Sequence, residues 1–136
     1  MKDLTLIIPA KEEAESLPIF LNELKPIDCK KLIVLQKEDL ETINVVNKIP
    51  GIEILEQTNK GYGNALIEGI NSTKTKYCCI INADGSMNSK YLSEMYKNCQ
   101  NKDLIFATRY QKPGSGSNDD DIISNVGNKF FTALGN

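Results

Sequence analysis

Short apolar runs alternate with segments whose apolar residues recur every three or four positions, and this alternation constrains the fold more than any other feature of the chain. Leu4-Thr5-Leu6-Ile7-Ile8, Leu32-Ile33-Val34-Leu35, Ile52-Glu53-Ile54-Leu55, Tyr77 to Ile81 and Leu104-Ile105-Phe106-Ala107 have the length and near-continuous apolar character of strands buried on both sides. Between the first two runs, Leu17, Phe20, Leu21 and Leu24 follow the i, i+3, i+4, i+7 spacing of a helix, with Ser16 as its N-cap and Pro18 in its first turn. Asp39 is placed to cap a short helix presenting Leu40, Ile43 and Val46. A third helix carries Tyr62, Leu66, Gly69 and Ile70 on one face, and a fourth carries Leu92, Met95, Tyr96 and Cys99. Ile123, Val126, Phe130 and Leu134 mark a closing helix. Strands alternating with helices make βαβ units, so the expected fold is α/β, a mostly parallel sheet with helices on both faces. The chain of 136 residues is expected to form a single domain over residues 1–136, large enough for one core.

Composition removes several classes of function. Sixteen basic residues against eighteen acidic ones leave a formal charge of −2 with no dense Lys/Arg block, which argues against a nucleic-acid partner. No apolar run approaches the roughly 18–20 residues of a transmembrane helix, and the N-terminus has a strand pattern rather than that of a signal peptide. A cytoplasmic location is expected. The absence of histidine excludes Ser-His and Cys-His nucleophilic catalysis and imidazole metal sites. The four cysteines, Cys29, Cys78, Cys79 and Cys99, have no C-x-x-C spacing, and adjacent Cys78 and Cys79 point to opposite faces of a strand. They are expected to be free, reduced and mostly buried, and any metal must be a hard cation held by oxygen.

Ligands of open parallel sheets bind beyond the carboxyl ends of the strands. The loops on that edge are Pro9 to Glu13, Gln36 to Asp39, Gln57 to Gly63, Asn82 to Ser86 and Arg109 to Asp121, all rich in hydrogen-bonding and charged groups. The opposite connections are blander. Gly61-Tyr62-Gly63 fails the dinucleotide fingerprint, because Leu66 stands where a Gly or Ala is needed and the segment follows the third strand rather than the first. Lys60 and the two glycines at a helix start suit either a phosphate contact or a tight turn. Asn82 and Asp84, with Ser86 beside them, suit either an Asp-Gly turn or a Mg²⁺ or Mn²⁺ site, since such ions need only one or two protein carboxylates and bridge to phosphates. Asp119, Asp120 and Asp121 precede a helix and favour its positive end, or supply a catalytic base or a second metal contact. Arg109 pairs with a diphosphate or with a local carboxylate.

Taken in order, these segments resemble family 2 glycosyltransferases of the GT-A fold, the group that includes dolichol-phosphate mannosyltransferase-like enzymes. LIIPAKEEAESL is similar to the family's opening strand and Pro-Ala-x-Asn-Glu loop, and NKGYGNALIEGI to its Gly-Lys-Gly segment. YCCIINADGSMNSKYL is similar to its D-x-D loop, and DLIFATRY to its strand ending in Gly-Ser-Arg-Tyr. The resemblance implies a Rossmann-like, nucleotide-sugar-binding fold and inverting sugar transfer from a UDP- or GDP-linked donor. The acceptor would be a lipid phosphate or a glycan, reached at the inner membrane surface in the lipid case. A divalent cation, Mg²⁺ or Mn²⁺, would neutralise the leaving diphosphate. By matched position, Pro9, Ala10, Glu12 and Glu13 would line the nucleoside pocket, and Lys60 and Gly61 would lie near base and ribose. Asn82, Ala83 and Asp84 would hold ribose, metal and diphosphate.

Three departures accompany the resemblance. Gln36-Lys37-Glu38-Asp39 replaces the family's base-reading Asp-Asp-Gly-Ser, leaving Gln36 as the base contact. Asn82 replaces the first Asp of D-x-D. The chain stops at Asn136, where relatives continue into the acceptor side that usually carries the general base, so truncation of the acceptor part is an expectation. Two rivals stand beside this reading: a nucleotidyltransferase-type enzyme, for which Lys11-Glu12-Glu13 is a poor first loop, and a non-catalytic nucleotide-binding or interaction domain.

Overall fold

A computed structural model describes residues 1–108. The element order is β1 (Leu4–Pro9), α1 (Ser16–Glu23), β2 (Lys30–Leu35), α2 (Leu40–Val46), β3 (Glu53–Glu56), α3 (Tyr62–Ser72) and β4 (Tyr77–Ile80), then a 3-10 turn at Ser89–Tyr91 and α4 (Leu92–Asn98). The backbone gathers into two units, Met1–Leu92 and Ser93–Asn136. Arg109, the triple acid Asp119, Asp120 and Asp121, and the closing helix expected near residues 123–134 lie outside the described residues.

In the first unit the four strands form an all-parallel sheet in the order β3-β2-β1-β4. The chain therefore winds outward from β1 through β2 to β3, then returns to place β4 on the other side of β1. That reversal makes the β1–β4 boundary the topological switch point of the sheet. All six residues of β1 are buried, which demands cover on both faces. On one face, Ile7, Leu32 and Val34 form a buried cluster with Ala65 of α3, flanked by Leu55 and Ile80. The opposite face carries buried Leu6, Ile8, Ile33 and Leu35. Helix α1 brings Leu17, Phe20 and Leu21, Leu24 follows at its end, and α2 adds Val46, all buried. Each such side chain contributes about 1.5–3 kcal/mol of burial free energy.

The α1 stripe is the one its spacing predicts, and the Asp39 carboxylate caps α2 by accepting from the Thr42 N–H. Ser16, expected as the N-cap of α1, is instead its first helical residue. Glu15 takes the cap position with helical dihedrals, and the Ser16 hydroxyl donates to the Glu13 carboxylate. In α2, Leu40 is exposed and Thr42 is buried with Val46, because the polar Thr42 finds partners in the loop below.

Helix α3 is rotated in part from the expected face: Gly69 is buried and Leu66 half-buried as expected, but Ala65 is buried beside them and Tyr62 and Ile70 are exposed. Small residues face the sheet because the helix lies close to it: a Cβ on Gly69 would stand 2.6 Å from Ile7 Cγ2 and 3.1 Å from Val34 Cγ2.

The cysteines are free among the described residues, but none is fully buried, and Cys78 is exposed. Its strand, β4, is an edge of the described sheet and has a neighbour on one side only. Partial burial still raises the Cys79 thiol pKa to about 11. Helix α4 buries Leu92 and keeps Met95 and Tyr96 half-buried, the face its spacing predicts. The run Leu104 to Ala107, expected as a fifth strand, has no regular structure, and Leu104 and Phe106 are exposed. Apolar composition alone does not make a strand; a partner ladder does.

The close approach at Gly69 has a measurable consequence. Gly69→Ala is expected to cost about 1–2 kcal/mol net in chemical denaturation, overpacking outweighing the gain in helix propensity. Gly63→Ala, in the same helix with nothing within 4 Å of the added methyl, is expected to stabilise by up to about 1 kcal/mol.

Candidate functional site

Four strand-to-helix loops of the first unit meet at the carboxyl edge of the sheet. Backbone bonds fix their roots: the Ala10 N–H donates to Val34 O, Gln57 N–H to Leu35 O, and Ile81 N–H to Ile7 O. Three of the four loops thus start from a carbonyl near the end of a neighbouring strand.

The loop after β1 turns through Glu12, whose φ of 58° lies in the left-handed region. Asp39 holds it there. One carboxylate oxygen accepts from Thr42 N at 3.2 Å to cap α2, and the other accepts from Glu12 N at 2.7 Å. The buried Thr42 hydroxyl accepts from Glu13 N at 3.1 Å. Residues on α2 and its cap therefore fix the backbone of Glu12 and Glu13.

The loop after β3 is held by α3. The exposed Glu68 carboxylate accepts from the N–H groups of Thr58 at 2.7 Å and Asn59 at 2.9 Å. These backbone bonds, Thr58's foremost, lower its pKa from the ordinary 4.5. The sign follows from the depressed folded value: the anchoring is present above the ordinary glutamate range and is lost as pH falls through the lowered pKa. Gln57 Nε2 donates to Asn59 O at 2.5 Å and Gly61 O at 3.4 Å. Gly61, the N-cap of α3, has φ 107°, a conformation that side-chain-bearing residues rarely adopt.

The loop after β4 is tied to α3 by a hydrogen bond from the Tyr62 hydroxyl to Asn82 Oδ1 at 3.0 Å. Two residues on, Asp84 Oδ1 accepts from Ser86 N at 2.9 Å. Ser86 thus meets Asp84 through its backbone N–H.

Between these loops lies a cleft of about 540 Å³ at the switch point. Of the residues expected at the site, Pro9, Ala10, Glu13, Gln36, Gly61, Asn82, Ala83 and Asp84 line it together. Glu12 lies instead in an adjoining acidic hollow with Glu38 and Asp39. Lys60 and Ser86 do not line the cleft, although Lys60 adjoins Gly61 and Ser86 bonds to Asp84, both of which do. Lys11, Gln57, Tyr62 and Ala65 also line it without having been picked out from sequence. Gln57 and Tyr62 belong to a loop already marked as polar. Tyr62 was misassigned because its ring fits an apolar helical face, whereas its position at the first turn of α3 sends it toward the edge.

No group of three or more acidic or thiol side chains that could hold a metal occurs among the described residues. The oxygen ligands lining the cleft include the Glu13 and Asp84 carboxylates and the Asn82 amide, with Glu13 already accepting from the Ser16 hydroxyl. That set fits a cation that takes one or two protein carboxylates and completes its shell with water and phosphate oxygen, and it does not fit an all-protein cage. No described helix is long and apolar enough to cross a membrane.

The description "Glycosyl transferase family 2" belongs to the family model that matches residues 5–134. Glycosyltransferases of Mycobacterium bovis and Mycobacterium tuberculosis, themselves uncharacterized, are 30% identical over 91 residues, covering 67% of this chain and 41% of theirs. The poly(ribitol-phosphate) beta-N-acetylglucosaminyltransferase TarP of Staphylococcus aureus is 26% identical over 94% of this chain and 42% of its own. The chain thus spans about two fifths of the length of these curated relatives.

The Glu12 conformation yields a prediction. The corresponding position in the family's Pro-Ala-x-Asn-Glu pattern is Asn, which enters the left-handed region more readily than Glu. Glu12→Asn is expected to raise stability by about 0.5–1 kcal/mol, read as a shift in denaturation midpoint. No gain would mean that the loop is not held in this conformation.

Proposed function

Because the chain belongs to glycosyl transferase family 2, we propose that it takes part in sugar transfer from a nucleoside-diphosphate donor, and that the switch-point cleft is where the donor binds. The observation that carries this reading is the convergence of Pro9, Gln36, Gly61 and Asp84, from four successive loops, on one cleft. A glycan acceptor is the class favoured here. The TarP relative is named for transfer to poly(ribitol-phosphate), a polymer acceptor rather than a single lipid phosphate.

In this reading Gln36 and Gln57 face the base and the Pro9-Ala10 backbone supports the nucleoside. Asp84 faces the diphosphate. Charge supports a divalent cation there. The cleft is lined by two carboxylates, Glu13 and Asp84, and one ammonium, Lys11. A diphosphate entering that balance meets net repulsion unless a cation comes with it. When bound, Mg²⁺ or Mn²⁺ supplies neutralisation of the diphosphate leaving group. Asp84 is the residue that would hold it, with its second carboxylate oxygen available beyond the Ser86 contact.

Calorimetric titration of UDP and GDP, with and without Mn²⁺, tests the proposal. Wild type is expected to bind one of the two more tightly with Mn²⁺, and Asp84→Ala is expected to lose at least tenfold of that metal-dependent affinity. Absence of binding by either nucleotide, with or without metal, would overturn the donor-site assignment.

A further inference from the structure

Asn82 occupies the position where the family's pattern has a carboxylate, and its surroundings determine which end of the amide meets a ligand. Its side chain is half-buried and lines the cleft. The Oδ1 atom accepts from the Tyr62 hydroxyl at 3.0 Å. With the phenolic O–H donating to Oδ1, the Nδ2 end of the amide is the end turned away from Tyr62. The Nδ2 group, with two protons, has no hydrogen-bond partner among the described residues. A donor left unmatched at the wall of a cleft is satisfied by a ligand acceptor or by water.

We infer that Tyr62 is a positioning residue that turns the Asn82 Nδ2 group toward the bound donor. Position 82 then contributes a hydrogen bond to a ligand oxygen rather than a charge to a metal. The inference rests on the proposed donor site. Its chemical content is that part of nucleotide binding at this cleft is independent of metal. A carboxylate at position 82 has no proton to donate and repels a diphosphate, so it depends on a cation; an amide does not. Tyr62 joins the site for the same reason: its hydroxyl lies at the first turn of α3, within reach of the loop after β4. The ligand oxygen is a ribose hydroxyl or a phosphate oxygen, and the two sources separate by probe.

The experiment is titration of UDP and GDP in EDTA and again in Mn²⁺, on wild type, Asn82→Asp, Asn82→Ala, Tyr62→Phe and the Tyr62→Phe/Asn82→Ala double variant. Uridine and guanosine serve as phosphate-free probes. In EDTA, wild type is expected to bind its preferred nucleotide measurably, and Asn82→Asp is expected to weaken that binding about tenfold, with Mn²⁺ recovering most of the loss. Tyr62→Phe is expected to weaken metal-free binding about threefold in wild type and to have no further effect in the Asn82→Ala background. A merely structural Tyr62 would act equally in both backgrounds. A loss at Asn82→Ala seen with nucleosides as well as nucleotides assigns the bond to the ribose, and a loss seen only with nucleotides assigns it to the phosphates.

Equal metal-free affinity of wild type and Asn82→Ala would overturn the inference, as would binding by wild type only in Mn²⁺. An undiminished Tyr62→Phe effect in the Asn82→Ala background would do the same. In each of these outcomes the nucleotide still binds and the donor-site reading stands. Failure of wild type to bind either nucleotide under any condition removes both.

Discussion

Six consecutive residues of β1, Leu4–Pro9, are buried, and a parallel strand reaches that state only when each face of the sheet has its own helical cover. Helix α3 meets one face through Ala65 and the bare backbone of Gly69. The apolar stripe of α1, with Val46 of α2, supplies cover for the other. Because β1 is central, β2 and β4 both pair with it, and the chain must change winding direction beside it. The cleft is a consequence of that burial: the loops leaving β1 and β4 diverge at the one boundary where successive connections run to opposite sides.

Polar contacts then convert four separate loops into one site. Asp39 uses both carboxylate oxygens, one on α2 and one on the loop after β1. Glu68 anchors the loop after β3, and Tyr62 reaches the loop after β4. All three side chains come from helix caps or helix surfaces, so the site is shaped from elements already fixed by the core. This arrangement suits a ligand with a base, a sugar and phosphates, whose parts make different contacts along one edge.

Much of this was legible in sequence where residue type and local geometry agree. The runs ending at Ile8 and Leu35 are strands because they are continuous and apolar, and Leu17, Phe20 and Leu21 are buried because nothing competes with their helical spacing. Asp39 was readable as a cap, and the four loops were readable as one polar edge. The misses share a cause, which is that the deciding partner is distant in the chain. Ala65 joins Gly69 against the sheet, packed with Ile7 and Val34, and no periodicity of large residues reveals that. Leu104 to Ala107 has strand composition without a strand ladder. Tyr62 looked like a core residue until the position of Asn82, twenty residues on, gave its hydroxyl a partner.

The account centres on the switch-point cleft as the place where a nucleoside diphosphate binds. Backbone amide chemical-shift mapping on adding the preferred nucleotide with Mn²⁺ tests this most directly. Perturbations concentrated at residues 10–13, 36, 57–65 and 82–86, with α1 and the outer surface of α3 unmoved, are the predicted result. Saturable perturbations centred away from that edge would contradict it.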